Sequence, residues 1–182
     1  GRVVDASGAP VSGARVHFAQ WGGLSDSEGL FQFQVDGQLS SYETKALIAQ
    51  KEGHQAAVLE AFGRDFLLDP EHAKNLVLRL GASPLSISGR VIDPSGEPAI
   101  GIGIAVSDPT FVGSPDWSVE LGYRRDLGKL KTDSRASFIV PRLREKSYRL
   151  RIWDPNLSFG FVTEPIEAGK SDVLIRIPQE AI

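Results

Sequence analysis

The feature that most constrains the fold of this chain is a stretch at its start that occurs a second time near its middle. Residues 1–16 and 89–104 carry the same glycines, proline, aspartate and strand-forming residues in the same register. The matched pairs are Gly1 and Gly89, Arg2 and Arg90, Val3 and Val91, Asp5 and Asp93, Ser7 and Ser95, Gly8 and Gly96, Pro10 and Pro98, and Gly13 and Gly101. Self-similarity of this length indicates a repeated structural unit, so we predict two copies of one β-rich module.

The length of the chain supports this division. A chain of 182 residues fits two domains of roughly 80 to 100 residues each, and each is large enough to bury a core. We therefore predict a first domain at residues 1–80 and a second at 85–182. The linker at residues 81–84 is too short for a flexible tether and predicts limited freedom between the two. Because the chain begins inside a repeat and without methionine, we expect it to be a segment of a longer protein.

Composition excludes several kinds of protein. The apolar fraction of 41% and the charged fraction of 24% are ordinary for a globular chain. No apolar run approaches the roughly 18 residues needed to span a bilayer, so we expect no direct membrane insertion. The absence of cysteine excludes disulfides, thiolate metal sites and a cysteine nucleophile. A net charge of −3 gives no overall attraction to nucleic acid.

Turn residues and alternating apolar residues predict the strands of the first domain. Asp5 and Gly8 predict a tight turn after a strand that ends at Val4. Residues 14–19 then alternate as a half-buried strand does. The two faces of that strand are Ala14, Val16 and Phe18, and Arg15, His17 and Ala19. We predict that Trp21 and the two glycines after it break this strand.

The rest of the first domain shows the same pattern of turn residues and alternating apolar residues. A turn at residues 25–29 precedes a predicted strand at 30–35, whose Phe31 and Phe33 we expect in the core. Residues 45–50 and 55–60 predict two strands around a turn at Glu52 and Gly53. Residues 61–75 are irregular, with one helical turn predicted at Asp69 and Pro70, and Leu76, Leu78 and Leu80 close the domain. Six or seven short strands separated by regular turns predict an all-β fold, an antiparallel Greek-key sandwich similar to the immunoglobulin type.

The second domain repeats this plan with one long insertion. Strands are predicted at 85–91, at 103–106 and over Tyr148, Leu150 and Ile152, whose side chains alternate with Arg149 and Arg151. The spacing from Gly89 to Thr132 is 43 residues and that from Gly1 to Ser25 is 24, so the second copy is 19 residues longer. The extra length lies within residues 107–131. It carries three aromatic residues among glycines and prolines, namely Phe111, Trp117 and Tyr123.

Two motifs of the first domain resemble those of a known family. The run Gly-Arg-Val-hydrophobic-Asp-X-Ser-Gly-X-Pro at the start is followed by Gly13-Ala14-Arg15-Val16 and then by Ser-Asp-X-X-Gly-X-Phe at residues 25–31. This pattern resembles the carboxypeptidase regulatory-like family. The second domain departs from it, with Ile102 and Ala136 where the pattern has alanine and glycine. The resemblance implies a transthyretin-like sandwich and an accessory, extracytoplasmic module appended to other domains of a bacterial protein. It implies no catalytic residue.

The residues needed for catalysis or for a metal are not concentrated anywhere in the sequence. The three histidines, His17, His54 and His72, are too far apart in sequence to form a local ligand pair. No Gly-X-Ser-X-Gly elbow is present, and the second domain has no histidine to serve a serine nucleophile or a non-haem iron site. The turn aspartates are explained by turn closure. We therefore expect no enzyme activity, no cofactor and no metal.

Positive charge is concentrated in one part of the second domain. Residues 124–151 hold ten basic residues against three acidic ones, and Arg149 and Arg151 are expected on the outer face of one strand. Two functions stay open. The chain is a spacer and interaction module, in which these charges are solvated and discourage edge pairing; or it is a binding module for a carbohydrate or peptide on Phe111, Trp117, Tyr123, Arg149 and Arg151. Nucleic acid is not an expected partner, since no groove-entering element accompanies the charge.

Overall fold

The computed structural model describes residues 1–18, 21–34, 46–59, 75–106, 130–154 and 160–179. Within these ranges the chain forms fifteen β-strands and no α-helix, and it divides into two compact units, residues 1–84 and 85–182. No helix in the described ranges is long and apolar enough to cross a membrane. The protein is an all-β sandwich protein, as its turn spacing and alternation predict.

The first unit contains six of the described strands, arranged in two sheets. They are β1 (Arg2–Val4), β2 (Arg15–Phe18), β3 (Trp21–Leu24), β4 (Leu47–Gln50), β5 (Ala57–Leu59) and β6 (Val77–Arg79). The larger sheet has the order β3-β2-β4-β5 with antiparallel neighbours, and the smaller one pairs β1 with β6 in parallel. Apolar side chains from the facing sides of both sheets form one core, which includes Val3, Val16, Phe18, Leu47 and Leu78.

The turn predicted after β1 is confirmed and shows why its residues are needed. A side-chain oxygen of Asp5 accepts hydrogen bonds from the backbone N–H groups of Ser7 and Ala9, at 2.8 and 3.0 Å. Gly8 has a φ of 92°, a conformation that costs glycine little. The hairpin of β4 and β5 around residues 52–53 is confirmed as well.

The preceding strand ends at Phe18, before Trp21 as predicted, but Trp21 and the two glycines after it lie in a strand of their own, which was not predicted. Residues 21–24 form β3, which pairs along its whole length with β2, from Phe18 opposite Trp21 to Arg15 opposite Leu24. The Trp21 ring stacks on Phe18 with centroids 6.3 Å apart. Glycine weakens a strand through entropy and lost packing, but here the paired backbone and the aromatic contact outweigh that cost.

The predicted strand at residues 30–35 is only partly formed. Leu30 makes one isolated bridge to Arg2, and residues 31–34 form no regular strand. Phe31 is nevertheless buried, as expected, whereas Phe33 is half-buried against the core. Phe31 and Gly1 also exchange two backbone hydrogen bonds, at 2.9 and 3.0 Å, so the pairing with the start of the chain extends from Leu30 to Phe31.

The second unit contains nine described strands. They are β7 (Leu85–Ile92), β8 (Gly103–Val106), β9 (Leu130–Lys131), β10 (Ser137–Leu143), β11 (Ser147–Tyr148), β12 (Leu150–Trp153), β13 (Gly160–Val162), β14 (Ile166–Glu167) and β15 (Val173–Arg176). One sheet has the order β10-β7-β15 and the larger one the order β13-β12-β8-β9, with β11 and β14 paired separately. The predicted alternation along β12 is confirmed, because Leu150 and Ile152 are fully buried while Arg149 and Arg151 are exposed.

The two units share their strand order. The first strand pairs in parallel with the last, β1 with β6 and β7 with β15, and the four strands of the larger sheet follow the same sequence in both. The helical turn predicted at Asp69 and Pro70 and the aromatic residues of the insertion lie outside the described residues.

Candidate functional site

The outer face of the larger sheet in the second unit holds the most distinctive set of side chains among the described residues. In an antiparallel sheet, directly paired residues point to the same face. Gly103 pairs with Lys131 on one side and with Trp153 on the other, and Ala105 pairs with Arg151. Because Ile104 and Ile152 of the same strands face the core, these residues face outward. We call Gly103, Lys131, Arg151 and Trp153 the indole platform.

The Trp153 ring lies across the backbone of β8. A Cβ atom placed on Gly103 would overlap ring atoms Cδ2, Cε2 and Cζ2 of Trp153. Only glycine leaves room for the indole at this place, and any side chain there would displace it. On the opposite neighbour strand, Gly160 pairs with Trp153, and a Cβ there would stand 3.4 Å from the tryptophan Cβ. The ring therefore rests on peptide groups of the neighbouring strand β8.

Positive charges border this ring. Lys131 and Arg151 are both exposed, and Arg151 lies two residues from Trp153 on the same face, about 7 Å along the strand. Arg149 is held differently: its guanidinium donates to the carbonyl oxygen of Thr163 at 3.3 Å and lies 3.7 Å from a carboxylate oxygen of Glu164. Arg151 and Lys131 thus supply the charge on the indole platform, and Arg149 is tied to the end of the neighbouring strand.

The insertion joins two strands of this same sheet. Residues 107–129 connect β8 to β9, a span of 23 residues where residues 19–20 make the equivalent connection in the first unit. Val106, the last residue of β8, pairs with Leu150, which lies between Arg149 and Arg151 in the chain. Phe111, Trp117 and Tyr123 lie outside the described residues, and their grouping with the two arginines stays a prediction.

The first unit uses the same outer face in another way. His17 and Ile48 pair with each other on that face, yet both are buried, at 4% and 5% exposure. His17 thus lies on the face opposite Val16 and Phe18, as the alternation predicts, but it is buried there. Burial, with a smaller contribution from the nearby Arg15 charge, lowers the pKa of His17 to about 4. At neutral pH this histidine is an uncharged, buried side chain.

The turn aspartates serve the backbone. In both units the first turn is closed by an aspartate that accepts a serine hydroxyl and backbone N–H groups, Asp5 in one and Asp93 in the other. The hydrogen bond from Ser7 is the main reason that the pKa of Asp5 is lowered, and Ser95 has the same effect on Asp93. Every one of these donors lies in the same turn, as the predicted role in turn closure requires.

Metal-binding residues do not converge in the described part of the chain, which holds no group of three or more histidine, cysteine or acidic side chains that could share an ion. His17 is buried on β2, and Nδ1 of His54 contacts the carbonyl oxygen of Gly81 at 3.3 Å. His72 lies outside the described ranges.

Trp153 was not among the predicted site residues. One signal was available: in the alternation of β12, Trp153 falls on the same face as Arg151, opposite the buried Leu150 and Ile152, so an outward tryptophan could have been predicted. The second signal, the glycine beneath the ring, required the pairing of β8 with β12, and residue spacing does not reveal which residue stands opposite which.

Comparison with known proteins does not identify a family for this chain. No protein-family model matches the chain, so the resemblance to the carboxypeptidase regulatory-like family stays a prediction. No curated protein is significantly similar in sequence. Among solved structures, the crystal structure of GBS52, the minor pilin of the Gram-positive pathogen Streptococcus agalactiae, is similar at 11% identity and a TM-score of 0.38, over 93% of this chain and 83% of that one. A likeness at this level does not indicate what this chain binds.

Proposed function

We propose that this chain is a non-catalytic structural and interaction module, a pair of β-sandwich spacers that transmit tension between other domains of a larger protein. One observation carries the proposal: in each unit the first strand pairs in parallel with the last. In such a parallel pair, the N-terminal end of the first strand and the C-terminal end of the last strand lie at opposite ends of the pair. A pull on the two ends of the unit therefore runs along the strands and loads all hydrogen bonds of the pair together, so that they resist as a group.

A side-chain clip in each unit strengthens the same pair. Arg79, at the end of β6, donates hydrogen bonds to the carbonyl oxygens of Asp5 and Ala6 at 3.1 and 3.4 Å. In the second unit Arg176, at the end of β15, donates to the carbonyl oxygen of Pro94 at 3.3 Å. Both clips tie the last strand to the turn that follows the first. Charged donors to backbone carbonyls stabilise more than neutral ones, so the clips add resistance to sliding of the two strands.

Pulling single molecules with optical tweezers tests the proposal. With handles on the two ends of the chain, we expect two unfolding events, one for each unit. At about 3.5 Å per extended residue, the units of 84 and 98 residues release about 290 and 340 Å of chain before the folded span is subtracted, so the events can be assigned.

The matched control pulls the second unit in a different direction. Arg149→Cys and Glu164→Cys place handles at the open end of the β12–β13 hairpin, and the native chain has no cysteine to compete. There the hydrogen bonds break one after another, so we expect a clearly lower unfolding force. Equal forces in the two directions would contradict a load-bearing role for the parallel pair. Arg176→Gln should lower the end-to-end force of the second unit alone.

The family resemblance described above supports an extracytoplasmic setting, secreted or in the cell envelope. It makes other domains of the parent protein the first expected partners.

The alternative is a carbohydrate- or peptide-binding module built on the insertion. One placement favours it: Val106, the residue before the insertion, pairs with Leu150, which lies between Arg149 and Arg151. A glycan array probed with the whole chain tests it, and a chain with residues 107–129 replaced by a short turn is the control.

A further inference from the structure

We propose that the indole platform is a binding site for acidic carbohydrate, with the sugar ring stacked on Trp153 and its carboxylate held by Arg151 and Lys131. This site goes beyond the mechanical role, which needs no ligand, and it is centred on residues other than the aromatic ones of the insertion. Three observations support it. An aromatic ring lies on a flat support, cations lie near that ring, and the first unit has different residues at the same positions.

The support fixes the orientation of the ring. Because the indole rests on the peptide groups at Gly103, its two faces differ: one contacts the backbone and the other is turned away from the sheet. Trp153 is half-buried, as a ring with one covered face is. An aromatic face held this way offers a flat apolar surface at low entropic cost, the geometry that binds the apolar face of a ring.

The charges determine which rings are preferred. Lys131 and Trp153 flank Gly103 in one row, about 10 Å apart at two strand spacings, and Arg151 lies about 7 Å from Trp153 along β12. A ligand stacked on the indole thus meets one cation in each of two directions. Arginine binds a carboxylate through two parallel hydrogen bonds, so a uronic acid, which combines a ring face with a carboxylate, fits better than a neutral sugar.

The first unit shows that the fold does not require this arrangement. The residue equivalent to Trp153 is Gln50, and it pairs with Arg15, which stands where Gly103 stands. A side chain thus occupies the place of the glycine, and the position next to it is the buried Ile48 in place of Arg151. The first unit thus has the same strands and the same pairing, but it has no indole at this position, no glycine opposite it and no outward arginine beside it.

Nuclear magnetic resonance on the whole chain tests the proposal with trigalacturonate as the probe. The chain has three tryptophans, so its spectrum holds three indole N–H signals, and Trp153→Phe identifies the one from Trp153. We expect saturable movement of that signal. Arg151→Gln with Lys131→Gln should weaken binding by about tenfold, as the loss of two exposed ion pairs implies. The matched control, Arg135→Gln with Lys170→Gln, removes the same charge elsewhere and should bind as the wild type does.

Three results would overturn the proposal. The first is a Trp153 signal that does not move at millimolar probe, which would mean that the ring only packs against the backbone at Gly103. The second is movement of another indole signal alone, which would place binding elsewhere. The third is equal affinity for the methyl ester of the probe, which keeps the rings and lacks the charge. None of these results bears on the unfolding forces, so failure here is distinguishable from failure of the spacer function.

Discussion

Gly29 and Ala136 occupy the same position in the two units. They show how the same turn accommodates a methyl group in one unit and leaves no room for it in the other. Both end a turn begun by an aspartate, and both have positive φ, at 76° and 57°. The carbonyl oxygen of each accepts a hydrogen bond from the first strand of its unit, from the N–H of Val3 in one and of Val91 in the other. In the first unit a Cβ on Gly29 would overlap the carbonyl oxygen of Val3. In the second unit the Ala136 methyl is accommodated and buried.

We expect opposite sensitivities at these two positions. Gly29→Ala should lower the free energy of unfolding of the first unit by about 3 kcal/mol, since it adds backbone strain and a steric overlap. Ala136→Gly should change that of the second unit by less than about 1 kcal/mol, because relief of strain is offset by lost methyl burial. Urea unfolding of each variant measures both values. A tolerated Gly29→Ala would mean that β1 can move away from the turn.

His17 should make the stability of the first unit depend on pH. Its pKa is about 4 in the folded chain and about 6.5 when unfolded, so above pH 6.5 it is neutral in both states and has no effect. As the pH falls from 6.5 to 4 the unfolded state binds the proton first, and the free energy of unfolding drops by on the order of 3 kcal/mol.

The measurement is urea unfolding of wild type and His17→Gln at several pH values. The difference between the two chains should change between pH 6.5 and 4 and stay constant between pH 7 and 8. The aspartates with lowered pKa, Asp5, Asp93 and Asp133, lose their contribution only below about pH 4, outside this window. A difference that does not vary with pH would show that the pKa of His17 is the same in the folded and unfolded chains.

At the scale of the strand, one hydroxyl fastens the loop before the second strand in each unit. The Ser25 hydroxyl donates to the Val11 carbonyl at 2.6 Å and accepts from the Ala14 N–H at 2.8 Å. The Thr132 hydroxyl makes the equivalent pair with Ala99 and Ile102, at 2.8 and 3.0 Å. Both hydroxyls are buried, so removal of either leaves a donor and an acceptor away from water.

Ser25→Ala should therefore lower the free energy of unfolding of the first unit by about 2 kcal/mol, the cost of unsatisfied buried groups. Ser25→Thr keeps the hydroxyl that the second unit uses and should cost less than about 1 kcal/mol, which makes it the matched control. Thermal or urea unfolding provides the comparison. If alanine and threonine cost the same, packing and not hydrogen bonding determines the choice of residue at this position.

Strands could be predicted from the sequence where turn residues bound a segment of alternating apolar residues. They could not be predicted where a segment is a strand only because it pairs with another one. The strand over Leu150 and Ile152 was predictable because two buried aliphatic residues alternate with exposed arginines. The strand at Trp21–Leu24 was not, since two adjacent glycines weaken the local preference and only its pairing with β2 restores it.

For the molecule as a whole, the second unit has a core of its own. Its buried cluster contains residues of the second unit alone, among them Ile87, Phe138, Val140 and Ile152. We therefore expect residues 85–182, produced separately, to fold and to give a dispersed amide spectrum that overlays on the matching signals of the full chain. A collapsed or unfolded spectrum would show that the second unit needs the first for its stability.

The sequence by itself determined the repeat, the turn chemistry, the all-β class and the inward positions of most strands, because these depend on residues close together along the chain. The tertiary structure decided the burial of His17, the strand at Trp21 and the placement of the Trp153 ring on Gly103. Each of these depends on which residue stands opposite which across a sheet. That register arises from pairing between segments distant in sequence, and local preferences do not encode it.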